Sequence, residues 1–167
     1  MFVAPRGWRL ELCFFDVFHV VWLGIARDVV ASLLVDLMEN NILDAGDMDR
    51  TLQREFTFCL KWCRRERKTP PRFRLTKPGL GRSKTTDFPE LASYYKAMDV
   101  KVYTQYLAYR VENILGGTQR TYYRYLVTVM WSLVHCMWVF DHGGVSHKTF
   151  QPCLPPGCRL PAHLPWP

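Results

Sequence analysis

The densest concentration of chemistry-bearing residues lies between Arg64 and Lys84. Nine cations (Arg64, Arg65, Arg67, Lys68, Arg72, Arg74, Lys77, Arg82 and Lys84) stand there against one acid, Glu66. Such a run supplies the point charges that a phosphate backbone attracts, and Phe73, between Arg72 and Arg74, adds a ring on which an unpaired base can stack. Base-specific readout needs a helix or strand seated in a groove, which a loop carrying Pro70, Pro71 and Pro78 does not offer, so the binding expected is weak and indifferent to sequence. The competing reading is a solvated linker whose charge serves solubility alone.

The other candidate sites are sparser. Cys59 and Cys63 fall on one face of a helix at a spacing able to hold a metal, but no second pair lies at zinc-finger distance and core packing is the simpler reading. His147, Cys153, Cys158 and His163 place four ligand types near the C-terminus at spacings that match no familiar zinc module. Gly79-Leu80-Gly81 runs into Arg82 rather than into a helix start, so it is not a phosphate loop. Asp16 stands where a short strand gives way to a helix. It is a good N-cap for the amide of His19, with metal ligation as the alternative role.

Asp16-Val17-Phe18-His19 followed by Leu23-Gly24 resembles the D-x-M-H…L-G segment of eukaryotic cut-and-paste transposases of the CACTA and Plavaka type, whose catalytic domain has an RNase H-like fold. Arg27-Asp28 and Ala31-Ser32 continue the likeness, and Thr86 to Leu91 extends it more loosely. The resemblance implies that Asp16 would bind Mg²⁺ or Mn²⁺ as one of three carboxylates holding two metals for strand transfer. Such a domain has three strands before this point, and only fifteen residues precede Asp16 here. Glu11 is odd-spaced from Asp16 on the same strand and points to the opposite face. Glu112 or Glu90 could serve as a third carboxylate, and nothing in the sequence selects either. The resemblance therefore implies descent from a transposase fragment rather than a working nuclease, with no cofactor required.

The elements that position these residues are mainly helical. Arg9 to Phe15 reads as a short strand. From Val17, apolar residues recur around a polar stripe of Asp28, Ser32, Asp36 and Glu39, a mostly buried helix ending near Asn40 and Asn41. Asp47 caps a second helix running to Arg67 with Leu52, Phe56, Cys59, Leu60 and Cys63 inward, and Pro70-Pro71 stops it. Residues 69–86 have no apolar period and read as a loop. Asp87 to Glu90 has the form of a capping box with Pro89 in the first turn, opening a helix to Leu115 with a break near Asp99. Gly116-Gly117 ends it. A last helix runs from Thr118 to about Phe140 as a buried core helix, with Trp131 and Trp138 as core aromatics unless their face is exposed to a partner helix.

The 167 residues, 49% of them hydrophobic, suit one domain with a packed core and exclude wholesale disorder. The expected fold is mainly α: four or five helices over residues 1–142, with the basic loop at 64–86 and a disordered proline-rich tail at 143–167. The net charge is +7, of which residues 64–84 supply +8 and the rest of the chain −1. Tyr125 to Phe140 is too short to span a bilayer, and the acids and arginine in Leu12 to Met38 oppose insertion there. Met1 to Arg9 lacks the apolar core of a secretory signal, so reduced thiols and an intracellular site, nuclear or cytoplasmic, are expected. The function these residues favour is a non-catalytic, transposase-derived protein that binds nucleic acid through the basic loop. The alternatives are an active metal-dependent nuclease or transposase and a helical protein-interaction module.

Overall fold

The computed structural model describes residues 18–43, 46–82, 88–117 and 120–141; the strand expected at 9–15, Asp16, Lys84 and the tail at 143–167 lie outside them. Among the described residues there are four α-helices and no β-strand: α1 (Ala26–Glu39), α2 (Met48–Arg65), α3 (Ala97–Leu115) and α4 (Thr121–Asp141). Eight residues of wider π-helical winding, Phe18–Ile25, lead directly into α1 and bury Trp22.

The ends of α1 and α2 follow from local chemistry. The Asp47 carboxylate accepts a hydrogen bond from the Asp49 amide at 3.0 Å, capping α2. Both helices close with a non-glycine residue in the left-handed region, Asn41 after α1 and Arg67 after α2. In each the next amide reaches back to a last-turn carbonyl, Ile42 to Leu37 and Lys68 to Cys63, both at 2.9 Å. These 6→1 bonds satisfy carbonyls that a helix terminus leaves free.

Asp87 lies outside the described residues, and the rest of the capping box expected at Asp87–Glu90 does not open a helix. Residues 88–92 are irregular, and α3 begins at Ala97, where Asp99 three residues in accepts the Lys96 amide at 3.1 Å. Tertiary bonds decide against the earlier start. Glu90 and Ala92 donate their amides to Leu80 and Gly79, at 3.1 and 2.8 Å, and the Arg27 guanidinium holds the Leu91 carbonyl and the Glu90 carboxylate. A backbone satisfied this way has nothing to gain from one turn of helix.

Helix α3 is the centre of the domain. It contacts the π-helical lead-in, α1, α2 and α4, and its buried residues run almost around its circumference, Tyr103, Tyr106, Leu107 and Val111 among them. Helix α4 folds back on α3 after Gly116 and is not the buried core helix its composition suggests. Met130 and Met137 are buried, whereas Tyr125, Val129, Trp138 and Val139 are exposed. Its packing partner is chiefly α3, and one neighbour covers only one stripe of a helix. Trp131 is half-buried and donates its indole N–H to Glu112 at 3.2 Å.

One buried polar cluster joins α2 to α3. Glu55 is 0% exposed. Its carboxylate receives both Nε and Nη2 of Arg110 at 3.0 Å and the Tyr106 hydroxyl at 2.6 Å. Burial alone would lower the pKa of Arg110, but the Glu55 bonds and charge outweigh it and hold the guanidinium above its ordinary value.

Candidate nucleic-acid interface

The basic residues begin on the last turn of α2 and continue along a strap, residues 68–82, that crosses the N-terminal half of α3. The strap is not an unanchored linker. Pro71, Leu75 and Leu80 are buried and fix it to the core. Between these anchors, successive backbone groups are held from beneath. Asp99 accepts the Arg72 amide at 2.7 Å, Tyr103 donates to the Phe73 carbonyl, Tyr95 donates to the Arg74 carbonyl at 2.7 Å, and Asp49 accepts the Lys77 amide at 3.3 Å. Burial raises the pKa of Tyr95 and of Tyr103 above the ordinary phenol value, so both remain protonated donors.

Two glycines let the strap lie so close. A Cβ on Gly79 would sit 2.6 Å from the Tyr94 hydroxyl, and Gly81 has φ +68°, the left-handed region. With its backbone turned inward, the strap projects Arg72, Phe73 and Arg74 to solvent in succession.

The nine expected cations divide by environment. Arg64, Arg65, Arg67, Lys68, Arg72, Arg74 and Lys77 are exposed. Arg82 is turned in. Its side chain is 12% exposed and bonds the Glu39 carboxylate at 2.7 Å, so it ties the strap to α1 rather than facing solvent. Lys84 lies outside the described residues. Two of the exposed cations are steered by aromatic rings. The Arg65 guanidinium stands 4.6 Å from the centre of the Tyr109 ring, and Lys68 stands 5.6 Å from that of Trp62 while donating to Gln105 at 2.8 Å.

Phe73, 40% exposed, is the outer member of an aromatic ladder. Its ring centre is 5.2 Å from Tyr94, Tyr94 is 4.6 Å from Tyr95, and Tyr95 is 6.1 Å from Tyr103. The ladder runs from solvent to core and fixes the orientation of Phe73. Sequence reasoning missed Tyr94, Tyr109 and Lys61. Tyr94 and Tyr109 reach the surface from the segment before α3 and from α3 itself, while exposed Lys61 lies one turn before Arg65 on α2. The one available signal was Lys61, which continues the basic spacing upstream.

The remaining candidate groups are otherwise engaged. Cys59 and Cys63 are buried free thiols, and burial, followed by the neighbouring Cys63, pushes the Cys59 thiol well above its ordinary pKa. Glu90 pairs with Arg27 at 2.9 Å and Glu112 accepts from Trp131. Among the described residues no three His, Cys, Asp or Glu side chains converge as metal ligands, and no helix is long and apolar enough to cross a membrane.

A groove of about 590 Å³ lies on the acidic stripe of α1 between that helix and α4. Asp28, Asp36 and Glu39 line one side and Phe88, Tyr122 and Val129 the other. Burial, then the Glu90 charge, raises the Asp28 pKa, and Arg27 offsets part of the effect. No family model, curated protein or solved structure matches this chain.

Proposed function

We propose that the protein is a non-catalytic, transposase-derived domain that binds nucleic acid without sequence preference through the end of α2 and the strap. The observation that carries this reading is the pinned backbone. Arg72, Phe73 and Arg74 are presented outward on a segment whose Arg72 amide and Phe73 and Arg74 carbonyls are bonded to Asp99, Tyr103 and Tyr95. Seven exposed cations flank one stacking ring, and the acids of α1 lie in a separate groove. Phosphates engage the cations as point charges, and an unpaired base lies on the exposed side of Phe73.

Titration of random single- and double-stranded DNA at several salt concentrations tests it. Engagement of about four to six phosphates gives a slope of log K against log salt of about −3 to −5. Replacing Arg64, Arg65, Arg67 and Lys68 by Gln flattens that slope by up to about three. Phe73→Ala weakens single-stranded binding more than double-stranded binding. Arg82→Gln leaves the slope unchanged, because that side chain faces Glu39. Absence of any complex at about 50 mM salt and micromolar protein would overturn the reading.

A further inference from the structure

The cations and rings of the basic face repeat one arrangement twice. On the strap, Arg72 and Arg74 flank exposed Phe73. The second instance lies on the seam where α2 and α3 run antiparallel, Glu55 meeting Arg110 at one end and Lys68 meeting Gln105 at the other. There Lys61 and Lys68 flank Arg65, which stands over the Tyr109 ring.

Arg65 is held as a platform rather than left as a loose charge. Its Nε donates to Glu66 at 2.8 Å and its Nη1 to the Tyr109 hydroxyl at 3.0 Å, while half of the side chain stays exposed. With those two groups engaged, the guanidinium still has its face to offer, and such a face stacks on a nucleobase. Lys61 and Lys68 supply charge without a plane. Lys61 is exposed, 5.8 Å from the centre of the Phe58 ring, and the Lys68 ammonium has two donors beyond the one given to Gln105. Glu66 is the only acid between Lys61 and Arg74, and α3 has none between Gln105 and Arg110.

Given the nucleic-acid reading above, on which this rests, we propose that the ligand is a single strand rather than a duplex. The strand runs along the α2–α3 seam as well as the strap, with one base on Arg65 and another on Phe73. Stacking platforms set between cations suit a strand whose bases are free. A duplex keeps its bases paired and would use the cations alone. Lys61 to Arg65 is one helical turn, about 6 Å, and the chain from there to Arg74 reaches at most about 30 Å. At about 3.4 Å per stacked nucleotide, such a track holds no more than about ten nucleotides.

The test titrates the full chain with labelled oligothymidylates of about 4, 8, 12 and 20 nucleotides, and with a duplex of about 12 base pairs. Affinity should rise at least about tenfold from the shortest strand to the third and then level off, and that third strand should bind at least about tenfold more tightly than the duplex. Lys61→Gln should flatten its salt slope by about 0.7, one phosphate on a single strand, whereas Arg124→Gln on α4 should not. Tyr109 acts by positioning Arg65. Tyr109→Leu should weaken strand binding at least about fivefold with duplex binding unchanged, and Tyr109→Phe, which keeps the ring, should restore most of the loss. Unchanged duplex binding also shows that the leucine variant folds. A duplex bound as tightly as the strand, no gain beyond the shortest strand, an unaltered slope for Lys61→Gln, or equal losses on strand and duplex for Tyr109→Leu would overturn the single-strand track and leave binding through the strap standing. Absence of any complex would overturn the nucleic-acid reading itself, and the track with it.

Discussion

Asp99 reaches back 27 positions to accept the Arg72 amide at 2.7 Å while its other oxygen accepts the Lys96 amide at the start of α3. One buried carboxylate thereby sets both the first turn of the central helix and the height of the basic strap above it. Asp99→Ala should cost about 1–3 kcal/mol by leaving two amides without their acceptor. Limited trypsin digestion should then cut faster after Arg72 and Arg74 than in the wild type. Unchanged cleavage there would show that Leu75 and Leu80 hold the strap unaided.

The Glu55 cluster should respond asymmetrically to substitution. Glu55→Ala strands the Arg110 charge and the Tyr106 hydroxyl and should lower stability by about 3–5 kcal/mol. The paired change Glu55→Met with Arg110→Met removes both charges and should cost much less. Urea unfolding of the two variants measures the difference, and equal losses would mean that the cluster contributes through packing rather than through charge.

Asp28 gives the groove a pH signature. Its raised pKa means that the folded chain holds this proton more tightly than the unfolded chain does. Ionisation therefore weakens the fold as pH rises through that value. Asp28→Asn should raise the melting temperature at pH 7, with the gain disappearing once pH falls below about 3, where the wild-type carboxyl is protonated in both states. Thermal melts of both proteins across that range provide the check.

Thiol reactivity should separate the cysteines by environment. Cys136 is exposed, whereas Cys59 and Cys63 are buried and the Cys59 thiol is held protonated by burial. Brief alkylation at pH 8 followed by peptide mass analysis should label Cys136 at least about tenfold faster than Cys59. Comparable rates would place the α2–α3 packing in doubt.

The helices were legible wherever one short-range signal decided them. Asp47 marked the start of α2, Pro70-Pro71 lay beyond its end, and Gly116 closed α3. The legibility stopped where partners are remote in sequence. Glu55 reads as one more charge on an exposed helix face, and its partners Tyr106 and Arg110 lie 51 and 55 positions away. Before α3 the capping pattern at Asp87–Glu90 was legible but did not place the start of the helix. That start was decided by Arg27, on another helix, and by the Leu80 and Gly79 carbonyls. Within the basic segment the residue types were readable and their orientation was not. Nothing local distinguishes inward Arg82 from outward Arg74.

Arg67 holds a backbone conformation, φ +54°, that suits glycine. An L-residue there gives up on the order of 1 kcal/mol. Arg67→Gly relieves that strain and deletes one of the exposed cations in the same step. Under the proposed function, the domain should become harder to unfold and a poorer ligand for DNA. At this position, holding on to a charge and folding as firmly as the chain could are opposing demands.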